Sequence, residues 1–290
     1  MPRGFEKAFA EKEAELPHPE TKPVAEIPED LCRKLRAILF DIDDTFTFKG
    51  KIHPEAFSAL WEAKNAGLLL LPITGRPAGW ADHIARMWPV DGVVGENGAF
   101  YFCFHETEKR MRKHFVVQEQ AERVRNHDRL MSIFREMQRT FPTLRLASDQ
   151  AYRECDLAVD YCEDVSPPLS LEEARLVQKV FERRGARAKI SSIHVNAWFG
   201  DYDKLSTCKR FFGQEHGIDL DAEKQRFLFL GDSPNDSPMF AFFPLSAGVA
   251  GIQRFWESGL MEHMPNFVAS DEGSFGFEEV VRAILAKRRG

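Results

Sequence analysis

Two pairs of aspartates follow apolar segments that we expect to be buried strands. Asp41 and Asp43 come directly after the largely apolar segment 35–40, and Asp232 and Asp236 come after a second apolar segment. In open α/β sheets, ligands bind beyond the carboxyl ends of the strands, so we expect these four carboxylates to meet at one edge of a sheet. Carboxylate oxygens suit a hard cation, and Mg²⁺ is the usual one beside a phosphate.

Thr74 and Lys204 complete a set of groups that suffices for phosphoryl transfer. Thr74 follows the apolar segment 68–73 and offers a hydroxyl, and Lys204 opens a helix and offers a positive charge. Magnesium and lysine can neutralise the phosphate oxygens. One carboxylate can attack phosphorus while a second moves protons. Each fragment alone is also typical of a plain turn or helix cap. Their joint occurrence in this order favours a catalytic site over a set of unrelated turns and caps.

The segments around these residues alternate between strand and helix patterns at both ends of the chain. Nearly continuous apolar runs predict strands that helices cover on both faces. Near the N-terminal end, strands are predicted at 35–40, 68–73 and 91–94, and helices at 54–65 and 77–88. Near the C-terminal end, strands are predicted at 226–230, 245–249 and 266–270, and helices at 204–216, 236–243 and 277–287.

The middle of the chain breaks this alternation. Asn97-Gly98 predicts a two-residue hairpin turn, which implies antiparallel pairing. Strands are then predicted at 113–118, 144–147, 152–160 and 189–197, and helices at 119–139 and 171–184. Such a mixture is typical of a separate α+β unit.

We therefore predict an α/β fold in which a doubly wound, Rossmann-like parallel-sheet core carries an inserted α+β cap domain. The predicted boundaries are a flexible N-terminal extension at 1–34, a catalytic core at 35–99 and 199–290, and a cap, or lid, at 100–198. The insertion is of ordinary size for a small domain.

Composition excludes several classes of function. The 290 residues carry a net charge of −6, so no general basic excess indicates a nucleic-acid partner. No apolar run approaches the roughly 20 residues that span a bilayer. The five cysteines include no Cys-x-x-Cys pair, so we expect free thiols in a reducing compartment and a cytoplasmic protein. The sequence does not indicate an oligomeric state.

Four motifs and their spacing resemble those of the haloacid-dehalogenase-like hydrolases. Within that group the resemblance is to the branch with sucrose-phosphate, trehalose-phosphate and mannosyl-phosphoglycerate phosphatases. The motifs are Asp41-Ile42-Asp43-Asp44-Thr45, Thr74-Gly75-Arg76, Asp203-Lys204 and Gly231-Asp232-Ser233-Pro234-Asn235-Asp236. The cap insertion, and Glu96-Asn97-Gly98-Ala99 at its entrance, also fit that branch.

The resemblance implies a role for each motif residue. Asp41 would be the nucleophile, Asp43 the general acid and base, and Thr74 and Lys204 the groups that hold the phosphoryl group. Magnesium would be held by Asp41, the backbone carbonyl of Asp43 and Asp232, with Asp236 in or near the coordination sphere. Asp44 departs from the pattern, since many relatives have glycine there. Its carboxylate is compatible with the site if it points away or caps the following turn.

Six residues are candidates for contact with the substrate. They are Gly75, Arg76, Asn97, Arg153, His194 and Asn196. Arg76 suits either an anionic substrate or a surface ion pair. Polar and apolar residues alternate over 193–197, so one face of that strand is either solvated or closes over the site as a lid. Arg153 is the first candidate for specificity, because its planar fork can bind hydroxyls or a second anion.

The leading hypothesis is a Mg²⁺-dependent phosphatase that hydrolyses a phosphomonoester of a small metabolite, such as a phosphosugar, through an aspartyl-phosphate on Asp41. A phosphomutase or phosphotransferase with the same nucleophile is the alternative among enzymes. A dehalogenase is disfavoured, because only an alkoxide leaving group needs the protonating Asp43. A non-catalytic magnesium-binding phosphoacceptor module is the alternative outside enzymes.

Overall fold

The structure is a computed structural model, and it describes residues 21–289. The strands are β1 (Lys22–Pro23), β2 (Ala37–Phe40), β3 (Leu69–Pro72), β4 (Val93–Gly95), β5 (Phe100–His105), β6 (Arg110–Phe115), β7 (Arg145–Leu146), β8 (Leu157–Asp160), β9 (Arg187–Ile190), β10 (His194–Trp198), β11 (Phe227–Gly231), β12 (Leu245–Gly248) and β13 (Phe267–Val268). The helices are α1 (Glu29–Lys34), α2 (Pro54–Asn65), α3 (Ala78–Met87), α4 (Gln120–Thr140), α5 (Leu171–Arg183), α6 (Lys204–His216), α7 (Leu220–Glu223), α8 (Ser237–Phe242) and α9 (Gly273–Arg289). Within this part of the chain, no helix combines the length and apolarity that a membrane span needs.

The core is a six-stranded sheet in the order β1-β13-β12-β11-β2-β3, with every neighbouring pair parallel. Phe40, Phe277 and Val281 belong to the apolar layer where α1, α2 and α9 pack on one face. Phe211 and Phe240 belong to the layer that α6 and α8 form on the other face. Helices on both faces explain why β2 and β11 are wholly buried, apolar strands. The predicted doubly wound core is confirmed.

A three-stranded antiparallel sheet, β4-β5-β6, continues from the edge of the core. A single parallel bridge joins Ile73 to Val94, next to β3 and β4. The predicted hairpin turn at Asn97-Gly98 is present, but four residues separate the last pair, Gly95 and Phe100. Phe100 and Phe102 of β5 pack against α3. The hairpin β5–β6 therefore packs with the core, and the cap proper begins after β6 rather than at residue 100.

The cap is a four-stranded antiparallel sheet, β7-β8-β10-β9, with α4 and α5 packed on one face. Residues 189–197, predicted as a single strand, are instead the hairpin β9–β10. The Oγ of Ser191 accepts hydrogen bonds from the backbone N–H groups of Ile193 and His194, at 3.3 and 3.0 Å, which closes the turn. Serine hydroxyls commonly stabilise turns in this way.

The predicted N-terminal extension divides at residue 21. Residues 1–20 lie outside the described part of the chain. Residues 22–34, predicted to be flexible, form β1, a short 3₁₀ helix and α1. Strand β1 pairs with β13, and Val24 and Ile27 are buried in the layer that contains α9. The burial of these two apolar residues makes the segment part of the core.

Candidate active site

The parallel register brings the predicted catalytic residues to one edge of the sheet. Phe40, the last residue of β2, lies between Pro72 of β3 and Leu230 of β11. The residues that follow these strands, Asp41 and Asp232 among them, therefore emerge side by side, as the sequence predicts. Oxygens of Asp41, Asp232 and Asp236 lie within 4.8 Å of one another, and all three residues are buried.

Lys204 reaches this carboxylate cluster from the first turn of α6. Its Nζ donates to Oδ1 of Asp41 at 2.6 Å and to Oδ1 of Asp236 at 2.7 Å. Asp203 caps the helix, because its side chain accepts the backbone N–H of Ser206 at 2.7 Å. Gly98 packs on this cap with φ +105°, and a Cβ there would lie 2.1 Å from the carbonyl oxygen of Asp203. Only glycine permits this close packing at the helix start.

The charges in the cluster are unbalanced in favour of the acids. Burial raises the pKa of Asp41 to about 8; Lys204 opposes that shift, and Asp236 and Asp43 add to it. Burial, then Asp41 and Asp236, raise the pKa of Asp232 well above its ordinary range. Burial alone would lower the pKa of Lys204, but the two carboxylates it contacts raise it, so the lysine is cationic. Arg254 lies 3.4 Å from Asp232 and from Asp44 and opposes the shift of Asp232, so two cations, Lys204 and Arg254, face four carboxylates, those of Asp41, Asp232, Asp236 and Asp44.

A divalent cation would balance the excess negative charge of this cluster. The donors are oxygens of buried carboxylates, which are the ligands of Mg²⁺. Asp41 and Asp232 are the residues that would hold it. Asp236 is engaged on both oxygens, since Oδ1 accepts from Lys204 and Oδ2 accepts the backbone N–H groups of Asp232 and Ser233 at 3.2 and 3.4 Å. Asp236 thus fixes the lysine and the loop around the metal site.

Asp44, where the resemblance implies glycine, has a backbone conformation that glycine also adopts. Its φ is +56°, in the left-handed region that glycine adopts freely and aspartate tolerates. Its carboxylate lies 3.4 Å from Arg254, whose guanidinium also lies 3.4 Å from Asp232. The additional carboxylate therefore pairs with an arginine and is absent from the metal-site cluster.

Thr74 is fully buried beside the cluster, at the end of the β3 segment. Its Oγ1 accepts the backbone N–H of Arg76 at 2.9 Å. A hydroxyl that accepts a hydrogen bond keeps its own hydrogen for donation. The predicted role of Thr74 as a donor to a phosphoryl oxygen is compatible with this arrangement.

Asp43 is not one of the three clustered carboxylates, and it pairs with Arg76. The Nε of Arg76 lies 2.9–3.0 Å from both Asp43 oxygens, and Nη2 lies 2.8 Å from Oδ1. The same guanidinium contacts two cap residues, Asp149 at 3.3 Å and Glu163 at 2.5 Å. Arg76 is therefore neither exposed nor open to a substrate in this closed arrangement. It orients Asp43 and links it to the cap.

Glu163 and His194 extend this contact into the cap. The Nε2 of His194 lies 2.9 Å from Oε2 of Glu163. Burial would raise the pKa of Glu163, but hydrogen bonds with His194 and Arg76 outweigh burial and lower it to about 2. All of β10 is buried, so the alternative of a solvated face does not apply, and Asn196 lies near Gly75 of the core. The alternative in which this face closes over the site as a lid stays a prediction.

Arg153 differs most from its expected role. Its side chain is fully buried, and its guanidinium donates to Asp149, to Asp156 and, at 2.8 Å, to the carbonyl oxygen of Gly75. With its donors engaged, Arg153 joins the cap to the loop that follows Thr74. The sequence could not show this, because the partners that bury Arg153 include a residue 78 positions away.

We expect Arg153→Ala to act on stability rather than on specificity. It removes the guanidinium that pairs with Asp149 and Asp156 at 2.9 Å each; Asp149 keeps its contact with Arg76, but the buried carboxylate of Asp156 loses its paired arginine, which costs about 3–5 kcal/mol. Chemical denaturation would measure the loss. Turnover of a sugar phosphate and of a small aryl phosphate should fall in parallel. A selective loss on the sugar phosphate would restore Arg153 as a specificity residue.

The sequence identified Glu96 only as part of the motif Glu96-Asn97-Gly98-Ala99 and gave it no role of its own. Its two oxygens accept four backbone N–H groups, from Ala78 of α3 and from Glu154, Cys155 and Asp156 of the cap, at 2.6–3.0 Å. The carboxylate thereby ties the cap segment to the first turn of α3. The sequence feature that could have indicated this role is the acidic residue at the entrance of the cap, directly before a hairpin turn.

Asn97 is placed to contact a ligand. Its side-chain nitrogen and oxygen are buried, and neither has a hydrogen-bond partner. The side chain lies against Gly75 and near Asn196, which donates to Asp156 at 3.0 Å. Asn97 and Lys204 line a cavity of about 390 Å³ between the cap strand β9 and the core. Of the six predicted substrate contacts, Asn97 is the one in which both side-chain polar atoms are buried without a hydrogen-bond partner.

Comparison with known proteins agrees with this geometry. A family model described as haloacid dehalogenase-like hydrolase matches residues 38–143. The match runs from β2 to the end of the segment that follows α4, and it contains Asp41, Asp43 and Thr74. The predicted resemblance to this group is confirmed.

Solved structures share the fold over most of the chain. A Thermoplasma acidophilum protein is 19% identical with a TM-score of 0.62, over 87% of this chain and 98% of its own. The sucrose-phosphatase of Synechocystis, in complex with sucrose and phosphate, is 15% identical with a TM-score of 0.56, over 87% and 98%. The C-terminal domain of the C. albicans trehalose-6-phosphate phosphatase is 12% identical with a TM-score of 0.62, over 93% and 99%.

Proposed function

We propose that this protein is a Mg²⁺-dependent phosphatase that hydrolyses a phosphomonoester of a small metabolite through an aspartyl-phosphate on Asp41. The observation that carries the proposal is the meeting of Asp41, Asp232 and Lys204 at adjoining strand ends and a helix start. Lys204 contacts Asp41 at 2.6 Å, and Asp232 lies within the same cluster. The family match and the shared fold support a phosphoric monoester hydrolase.

The reaction follows from the positions of the side chains. Lys204 contacts only Oδ1 of Asp41, so the second oxygen is available to attack phosphorus. The bond from phosphorus to the ester oxygen breaks, and Asp43 donates a proton to that oxygen. Water then attacks the aspartyl-phosphate and gives a proton to Asp43, which releases inorganic phosphate and restores Asp41. Magnesium, when bound, would neutralise the phosphate oxygens and reduce their repulsion from Asp41.

Lys204 and Thr74 would hold the phosphoryl group through a point charge and a hydroxyl donor. Both side chains are buried, so little water would screen their interaction with the phosphoryl oxygens. The cap covers this edge of the sheet and would exclude bulk water while the ester reacts. The core residues thus account for the common chemistry and leave the rest of the substrate to the cap.

A phosphosugar is the substrate class that we favour. Asn97 presents two unpartnered buried polar atoms at a cavity of about 390 Å³, which lies within the usual range for small-molecule sites. Amide groups of this kind can bind sugar hydroxyls as donor and acceptor. Two proteins with the same fold carry the names sucrose-phosphatase and trehalose-6-phosphate phosphatase.

The experiment that tests the proposal is the release of inorganic phosphate from a panel of phosphate esters in the presence of Mg²⁺. The panel should include hexose and disaccharide phosphates, nucleotides and an aryl phosphate. We expect turnover that is highest with one sugar phosphate. No release from any ester would refute the phosphatase, while transfer of phosphate to added free sugar would identify a phosphotransferase.

We expect Asp43→Asn to discriminate between leaving groups. An amide cannot protonate the ester oxygen, so turnover of an alkyl ester should fall by about 100-fold or more, the range for general acid–base catalysis. An aryl oxide leaves without protonation, so the loss with an aryl phosphate should be smaller. Steady-state kinetics on both esters measure the difference. Equal losses would contradict an acid role for Asp43.

A further inference from the structure

A second cluster of potential metal ligands lies outside the candidate active site. Cys103 and His105 stand two residues apart on β5, so their side chains share one face of the strand. Glu215 faces them from the last turn of α6. One ligand atom from each of the three lies within 4.8 Å of the other two. None of these residues has a role in the proposed reaction.

Two of the three distances between these atoms match the edges of a tetrahedral coordination shell, and the third lies within 4.8 Å. The Sγ of Cys103 lies 3.5 Å from the Nε2 of His105, which lies 3.4 Å from Oε2 of Glu215. Bond lengths of about 2.3 Å for zinc to sulfur and about 2.0 Å to nitrogen or oxygen give tetrahedral edges of about 3.5 Å for sulfur to nitrogen and about 3.3 Å for nitrogen to oxygen. The three side chains need no large rearrangement to share one ion.

The geometry points to a zinc site formed by Cys103, His105 and Glu215, with water as the fourth ligand. Thiolate and imidazole favour a borderline-soft cation such as Zn²⁺ and disfavour Mg²⁺, which takes oxygen ligands. His105 is one-third exposed, which leaves a solvent path to the fourth position. The site is therefore chemically distinct from the carboxylate cluster around Asp41.

The surroundings already orient the glutamate. The hydroxyl of Tyr101, also on β5, lies 2.9 Å from Oε1 of Glu215 and 2.6 Å from Oε1 of Gln214, and it shares its one hydrogen between these two acceptors; Oε2 of Glu215 is left as the ligand atom. Hydrogen bonds of this kind fix the ligands of protein metal sites. Arg112 contacts Oε2 at 3.1 Å, but it is largely exposed and also lies 3.8 Å from Glu108. Binding a cation would displace Arg112 toward Glu108.

Metal binding would release one proton for each ion bound. In the metal-free protein, burial and then Glu215 raise the pKa of Cys103 to about 12, so the sulfur is a thiol. The cation replaces the thiol proton, forms the bond to sulfur and gives the proton to solvent. No oxidant or reductant takes part, and His105 binds through its neutral ring nitrogen.

The site would connect the β5–β6 hairpin to the helix that carries the catalytic lysine. Glu215 and Lys204 lie at opposite ends of α6, about 16 Å apart along the axis. An ion at this distance is too far from Asp41 to act on the substrate. Its effect would be to fasten the C-terminal end of α6 to β5.

The test is a Co²⁺ titration of the full chain after treatment with a chelator under reducing conditions. Cobalt that binds a thiolate produces a charge-transfer absorption band, which carboxylates and imidazoles do not give. We expect a band that saturates at one equivalent and disappears when Zn²⁺ is added. The same band should appear in an Asp41→Asn/Asp232→Asn variant, which separates this site from the proposed magnesium site.

The variants decide whether Cys103 is the sulfur ligand. Cys103→Ser should abolish the band, and the matched control Cys162→Ser should keep it, because Cys162 lies in the cap, where its thiol donates to the carbonyl oxygen of Ser192. His105→Gln, at a partly exposed position that should not disturb folding, should weaken cobalt affinity by about tenfold or more. No band in the unmodified chain, a band that survives Cys103→Ser, or unchanged affinity in His105→Gln would overturn the proposal.

Discussion

Asp41→Asn is expected to abolish turnover and covalent labelling together. The amide has nearly the same shape as the carboxylate but is not a nucleophile, so the loss should reach at least about 10⁴-fold, in the range for removal of a catalytic nucleophile. Acid quenching after exposure to a substrate labelled in its phosphoryl group would measure the covalent intermediate. The variant should contain no label, while the unmodified protein should contain label during turnover.

The fold should tolerate this substitution. Burial and neighbouring acids raise the pKa of Asp41 to about 8, so an uncharged group at this position relieves repulsion, and Lys204 keeps its contact with Asp236. Circular dichroism and thermal unfolding would verify the fold. Asp44→Asn is the matched control, since its carboxylate pairs with Arg254 instead of the cluster, and it should retain turnover. Labelled protein in the Asp41→Asn variant would contradict the assignment of the nucleophile.

Removal of Mg²⁺ is expected to have the second largest effect. A chelator should eliminate turnover, because the buried carboxylates cannot approach a phosphate dianion unless a cation neutralises them. Restoring Mg²⁺ should restore activity in full. Asp232→Asn removes a predicted ligand, and turnover at a fixed Mg²⁺ concentration should fall by about 100-fold or more, which corresponds to about 3 kcal/mol of transition-state stabilisation.

The magnesium dependence of Asp232→Asn separates metal binding from a general structural defect. If Asp232 is a ligand, higher Mg²⁺ concentrations should recover part of the lost rate, and calorimetry should show weaker Mg²⁺ binding. A variant with the same Mg²⁺ affinity as the unmodified protein would contradict the predicted ligand. Full turnover in a metal-free preparation would contradict the metal requirement itself.

The contacts between cap and core bear on how the enzyme would work. Arg76 links Asp43 to Glu163, and Glu96 binds the cap segment around Cys155. Arg76 therefore does two things: it contacts the closed cap, and it orients Asp43, the predicted acid. The same side chain that positions Asp43 would lose cap partners whenever the cap opens to admit substrate.

The sequence by itself determined the elements and the chemistry of the core. Helices α2 and α6 begin and end where their patterns and caps predicted, at Pro54–Asn65 and Lys204–His216. The strand ends at Asp41 and Asp232 also follow from the sequence, because an apolar run covered by helices stops where the first polar group appears. These features depend on neighbours within a few residues, so local pattern is enough to predict them.

The tertiary structure alone decided which polar residues are open to a ligand. The sequence presented Arg76, Arg153, His194 and Asn196 as candidate contacts, but each is buried and paired with a residue distant in the chain. Asn97 is equally buried and has no partner for its side chain. The type of a polar residue shows what it can bind. Only the packing of cap on core, which sets the partners within about 3 Å, shows which of its donors and acceptors remain unused.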